Sequence, residues 1–297
     1  MGKRIVVILN TGAGSANGTE LEDSILSAFR RAGMSVDLRR IESGDLSVSA
    51  HKAAAECDII VAGGGDGTIS TVAAVTVEEQ KALGVLPLGT LNHFSKDLGI
   101  PQDIDGAVDV IAENNIRDID IAEVNGRYFI NNSSIGLYPR LVLTRERRQR
   151  LGYGKWWSAV WALTRLIRWA PFQKVKLEFE GNELRRRVPF VFVGNNIYEM
   201  DLYNIGTRKR LDDGKLCVYL MRRSGRTGLL LLIIRSVFGG LKRSKYFESF
   251  NVSKLSIETR KRSTLVAMDG EVEAIDSPLE YKILPRKLRV IAPREEK

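Results

Sequence analysis

The segment DIIVAGGGDGTIS, residues 58–70, constrains the fold more than any other part of the chain. An apolar run passes directly into Gly63, Gly64, Gly65, Asp66, Gly67 and Thr68, and a helix is expected to begin at Thr68. A buried strand, a glycine turn and a helix form the first half of a right-handed crossover. The surrounding chain repeats this alternation. Apolar, β-branched runs at residues 4–10, 35–41, 58–62 and 82–87 read as strands. After the first of them Leu21, Ile25, Ala28, Phe29 and Ala32 recur at helical spacing. An α/β domain with a parallel sheet is expected over residues 1–122, its ligands bound beyond the C-terminal ends of the strands.

After Ile121 the pattern changes. Runs at residues 128–133, 174–179, 188–193, 216–221, 252–259, 264–268 and 279–284 read as strands with few helices between them. They predict a mainly antiparallel β-sandwich over residues 123–285. Residues 137–168 and 227–238 read as helical interruptions. A last apolar run at 288–292 is expected to return to the first domain, so that residues 286–297 complete it.

Charge divides the chain at the same point. The net charge of +9 conceals 10 Lys and Arg against 18 Asp and Glu in residues 1–122, and 35 against 18 in the remainder. A basic second part suits nucleic acid or the anionic cytoplasmic leaflet. No recognised nucleic-acid module accompanies the basic residues, so nucleic acid is not expected. Two cysteines, Cys57 and Cys217, imply no disulfide framework. No apolar run is long enough to span a bilayer or to form a signal peptide, so a cytoplasmic location with peripheral membrane contact is expected.

Successive glycines let backbone N–H groups approach a phosphate, and a following helix N-terminus adds a favourable dipole. Asp66 would repel a bare phosphate and suits one bridged by magnesium. The plain alternative is a tight strand–helix turn. No Lys follows Gly67, which excludes a Walker A loop. The dinucleotide pattern nearly met at residues 12–17 fails at Asn17. In MDGE, residues 268–271, Asp269 and Glu271 stand two apart. An extended chain would point both to one side, whereas Asp-Gly is also a strong hairpin-turn signal. Residues 155–172 hold every tryptophan of the protein, with Trp157, Val160, Trp161, Thr164 and Ile167 at helical spacing. They suit an interfacial or lipid-pocket helix, or else an amphipathic core helix. The run RERRQR, residues 145–150, is a solvated face or a contact for lipid headgroups.

GGGDGTIS, followed by LPLGTLNHFSKDLGIP at residues 86–101, resembles the catalytic domain of the diacylglycerol kinase family, which includes bacterial lipid kinases and sphingosine kinases. ILNTGAGSANG near the start, DIDIAEVNGRYFINNSSIG at 118–136, LDDGKL at 211–216 and MDGE continue the match in order. GGDGT alone is shared with NAD kinases and phosphofructokinases; the full set is far more specific.

The resemblance implies an ATP- and magnesium-dependent lipid kinase with its active site in the cleft between the domains. Gly64, Gly65, Asp66, Gly67, Thr68, Ile69 and Ser70 would form the phosphate loop. Thr90 would add a contact, and Asn10 with the loop from Gly12 to Ser15 would close one side. Arg40 aligns with a nucleotide contact, the alternative being a solvated strand-end cation. Glu271 becomes the proton acceptor for the attacking hydroxyl, with Asp269 its neighbour or substitute. Asp120 aligns with an acidic residue of a magnesium–water network that includes Asp66. Asp213, with backbone carbonyls near Arg210 and Lys215, fits a structural magnesium site, or else a solvated turn carboxylate. The chain departs from the family at Thr11, where many members carry Pro, and at His93, where many carry Asp. The expected partners are a lipid alcohol, an anionic membrane and, as an option, a second copy of the chain. The rival functions are a kinase for a soluble substrate such as NAD, and a non-catalytic nucleotide- or lipid-binding regulator.

Overall fold

The computed structural model describes residues 3–10, 18–41, 46–140, 142, 172–200, 205–221 and 247–294. The tryptophan-bearing segment 155–171, the basic run 145–150, the loop at 11–17 and the predicted helix at 227–238 lie outside these residues.

The first part of the chain alternates as expected. It runs β1 (Ile5–Asn10), α1 (Gly18–Arg31), β2 (Asp37–Ile41), α2 (Leu46–Glu56), β3 (Ile59–Gly64), α3 (Asp66–Glu78) and β4 (Ala82–Pro87). The short α4 (His93–Asp97) and α5 (Ile104–Glu113) follow. Strands β2, β1, β3 and β4 pair in that order, all parallel. β3 and β4 are buried at every position, as strands covered on both faces must be, so they read as continuous apolar runs. α1 buries Ile25, Ala28 and Phe29 and carries Glu20 in its first turn and Arg30 and Arg31 in its last, in line with the helix dipole.

The second part is almost entirely strand. It comprises β5 (Ile116–Val124), β6 (Arg127–Phe129), β7 (Asn132–Gly136), β8 (Gln173–Phe179), β9 (Asn182–Val188) and β10 (Phe190–Asn195). It continues with β11 (Tyr198–Met200), β12 (Ile205–Arg208), β13 (Leu216–Met221), β14 (Phe247–Val252) and β15 (Lys254–Thr259). β16 (Ser263–Met268), β17 (Glu271–Asp276) and β18 (Leu279–Ile291) complete it. A six-stranded sheet, ordered β14-β13-β10-β7-β16-β17, faces the far end of the larger sheet. Residues 137–140, where a helical interruption is expected, are helical.

Several strand boundaries differ from the sequence reading. The expected strand 128–133 is two strands, because the amides of residues 130–132 turn away from the sheet to bind a carboxylate described below. The expected strand 252–259 is likewise two, β14 and β15. β9 escapes notice because its NELRRRV sequence presents few apolar residues to a single face. The runs 279–284 and 288–292 belong to one strand, β18, interrupted by a shift of register between Leu284 and Leu288. Its first half pairs with β15, its last residues pair in parallel with β4, and β5 lies along it antiparallel. A single sheet therefore runs from one part of the molecule into the other. The core changes along these same strands: Ile119, Ile121, Leu288 and Val290 pack with the first part, and Ala122, Val124, Tyr281 and Ile283 with the second.

Candidate active site

The C-terminal ends of β1, β3 and β4 converge, and the glycine turn lies between them. α3 begins at Asp66, two residues earlier than expected, because Gly65 already serves as its N-cap with extended backbone. Its N-cap, Gly65, has no side chain to occupy the first-turn amides, a turn of the kind that suits an anion. Two close approaches account for the glycines. A Cβ on Gly64 would lie 2.6 Å from Thr68 Oγ1 and 2.7 Å from Thr68 Cβ. A Cβ on Gly89 would lie 2.5 Å from Gly65 Cα, so the turn after β4, which leads to exposed Thr90, packs backbone to backbone on the glycine turn. Asn10 Nδ2 donates to Thr68 Oγ1 over 2.9 Å, which ties the end of β1 to the same helix turn. Ile69 is fully buried and offers the site only its backbone. Gly12 lies outside the described residues.

The second part contributes the β16–β17 hairpin. Asp269 and Gly270 both have positive φ, at 48° and 94°, between the paired residues Met268 and Glu271. This is the primed two-residue turn that Asp-Gly favours. The hairpin-turn reading of MDGE is thus what the structure shows. Glu271 lies over the glycine turn: a Cβ on Gly67 would sit 3.6 Å from Glu271 Oε1. A carboxylate from one part thus faces the helix N-terminus of the other.

Asp269 points elsewhere. Its carboxylate accepts from Ser70 Oγ at 2.5 Å, and from the amides of Ile130, Asn131 and Asn132 at 2.8, 2.9 and 3.0 Å. Burial pushes this carboxyl above the usual range, against the pull of those donors. Those four donors hold Asp269 in place at the turn, beside Glu271. Ser70, assigned to the phosphate loop from sequence, is engaged in the same contact.

The remaining expected site residues are placed as follows. Asp66 accepts from the amides of His93 and Phe94, both at 3.2 Å, and so caps α4. Asp120 is buried; its oxygens accept from Gly214 N at 2.7 Å and Arg286 N at 2.9 Å, holding the 211–214 turn against the irregularity in β18. The two carboxylates have separate protein partners. Arg210 forms a forked pair with Asp212, at 3.0 and 3.2 Å, and its Nε lies 3.6 Å from Asp213 Oδ1. The Lys215 carbonyl accepts from Asn196 N at 3.0 Å. Arg40 pairs with Glu22 of α1 at 3.3 Å. Among the described residues no three or more His, Cys, Asp or Glu side chains converge on a point that could hold a metal. Magnesium commonly uses one or two carboxylates together with substrate phosphates, and Asp66 beside the glycine turn suits that role.

Residues 4–124 match the family described as the diacylglycerol kinase catalytic domain, and residues 142–292 match the YegS C-terminal NAD kinase β-sandwich-like domain. The chain belongs to the diacylglycerol kinase family. A diacylglycerol kinase from Bacillus subtilis (strain 168) is 25% identical over 299 aligned residues, covering 99% of this chain and 98% of that protein. One from Staphylococcus aureus (strain MRSA252) is 29% identical over 229 residues, covering 75% of this chain and 72% of its own. A crystal structure titled as a diacylglycerol kinase from Bacillus anthracis str. Sterne superposes with a TM-score of 0.72 at 24% identity, covering 98% of this chain and 97% of the other, and shares its fold.

Within this diacylglycerol kinase fold, sequence reasoning missed a buried cluster. Arg208 is completely enclosed and pairs through Nε with Asp97 Oδ2 at 2.7 Å. Asn195 and Tyr198 close the same region, Tyr198 Oη donating to the Asn131 carbonyl over 2.9 Å. Nothing in TRKR, residues 207–210, separates Arg208 from its basic neighbours.

Proposed function

We propose that the protein transfers the γ-phosphate of ATP to the hydroxyl of a lipid such as diacylglycerol. The observation that carries this reading is Glu271 Oε1 lying over the glycine turn at the start of α3, 3.6 Å from where a Cβ on Gly67 would sit. The amides of that turn bind the phosphate tail, and Asn10, Thr68 and the packed Gly65–Gly89 backbones shape the cradle. Asp66, together with the phosphates, would hold a magnesium ion, which would supply charge neutralisation there. Phosphoryl transfer asks for positioning and a base more than for covalent chemistry. The lipid hydroxyl oxygen bonds to the γ-phosphorus, the bond from that phosphorus to the ADP oxygen breaks, and the hydroxyl proton passes to Glu271.

Contact with an anionic membrane follows from the same reading, since the acceptor resides there. The basic balance of residues 123–297 supports it. No helix among the described residues is long and apolar enough to cross a membrane. The test is incubation of the pure protein with labelled ATP, magnesium and mixed micelles carrying diacylglycerol, a sphingoid base or phosphatidylglycerol, with NAD as a soluble acceptor. Label in a lipid product supports the reading. Label in NAD alone, or ATP binding without transfer to any acceptor, would overturn it.

A further inference from the structure

The segment between β6 and β7 has its backbone polar groups satisfied outside a regular strand ladder, and the partners fall into two sets. The amides of Ile130, Asn131 and Asn132 all donate to Asp269. On the other side, the Ile130 carbonyl accepts from Arg208 Nη1 at 2.6 Å and from Asn195 Nδ2 at 2.9 Å. The Asn131 carbonyl accepts from Tyr198 Oη and from Asn195 N, and the Asn131 side-chain oxygen accepts from Arg208 Nη2 at 2.8 Å. Arg208 Nη1 also reaches the Asn195 carbonyl at 3.2 Å. One guanidinium thus holds three acceptors of the second part while its Nε is committed to Asp97, at the end of α4. The first turn of α4 is itself held by Asp66.

We infer that the buried Asp97–Arg208 pair is a positioning device for phosphoryl transfer, setting the 130–132 cradle that aims Asp269 and, two residues on, Glu271. This rests on the kinase reading. The path runs from the glycine turn through Asp66, α4, Asp97, Arg208 and residues 130–132 to Asp269, and each step is a charge-assisted or main-chain hydrogen bond. Lysine could keep the charge opposite Asp97 but not the planar fork, which is why the guanidinium is required.

The experiment compares the wild type with Arg208→Lys and with the double variant Asp97→Leu/Arg208→Met. The double variant removes both buried charges together and so leaves neither uncompensated. Two readouts are taken: amide hydrogen exchange at residues 130–132, and kcat and KM for ATP with the best lipid acceptor. Exchange at those amides is expected to rise about tenfold in both variants, as their shared anchor loosens. The kcat is expected to fall about 100-fold while KM for ATP stays within about twofold, because a displacement of about 1 Å at the reacting groups has that effect. Unchanged exchange in the correctly folded double variant would overturn the inference, and so would wild-type kcat in Arg208→Lys. If the wild type itself transfers no phosphate, the kinase reading fails, and the exchange measurement still decides whether Arg208 sets the cradle.

Discussion

At the residue scale, Asp269 and Glu271 show how adjacent acids acquire different tasks. A positive-φ turn directs Asp269 into four donors, while Glu271, already in β17, faces the glycine turn. Ser70→Ala should therefore cost about 1.5–3 kcal/mol of stability in a denaturant melt, as expected for one lost hydrogen bond to a charged acceptor. It should also lower transfer, since Ser70 ties α3 to the hairpin. Tyr198 supplies a pH test. Burial pushes its phenol up to about 12, so the native state keeps a proton that the unfolded chain releases from about pH 10 upward. Its contribution to stability is present below pH ~10 and is lost as pH rises towards about 12, at up to ~1.4 kcal/mol per pH unit. Tyr198→Phe should remove that share of the alkaline slope, measured by melts between about pH 9.5 and 11.5; an unchanged slope would contradict the assignment. The turns at MDGE and GGGDGT were legible in the sequence because each is set by a few consecutive residues. Arg208 was not, because its meaning arises only when Asp97, 111 positions away, and the 130–132 segment come together.

At the element scale, β1, β3 and β4 were legible because burial on both faces leaves unbroken apolar runs, and their ends fall within two residues of expectation. The antiparallel part was harder. Strand 128–133 is broken by a carboxylate from a distant hairpin, and β18 spans two apolar runs separated by Pro285, Arg286 and Lys287, with Arg286 in positive φ. Neither event has a local signal. Asp120 likewise has partners that no local pattern announces, the backbone amides of Gly214 and Arg286. The tightest element-level constraint is at Gly64, where a Cβ would press on β-branched Thr68. Gly64→Ala should destabilise the protein by about 1–3 kcal/mol through overpacking. It should also diminish the rise in melting temperature caused by ATP and magnesium, since the Asn10–Thr68 contact would be displaced. A wild-type shift in that variant would show that the glycine turn does not hold nucleotide.

At the scale of the whole molecule, β5 and β18 run from the nucleotide-type core into the sandwich, and the Asp269–Ser70 and Asp97–Arg208 contacts cross between the same two parts. The two parts are therefore braced against each other by shared strands and buried polar ties. The charge difference between the halves predicts binding to vesicles containing anionic lipid over zwitterionic ones. That binding should weaken as salt is raised and the screening length shrinks. Equal binding to both vesicle types at low salt would remove the electrostatic component. The account depends most on a phosphate tail held by the first part meeting the Glu271 carboxylate of the second. The most direct test is single-turnover transfer of label from ATP to diacylglycerol by Glu271→Gln, with nucleotide affinity measured in parallel. Nucleotide affinity close to wild type with transfer reduced about 100-fold or more is the predicted result for loss of a general base. Transfer at the wild-type rate would contradict it.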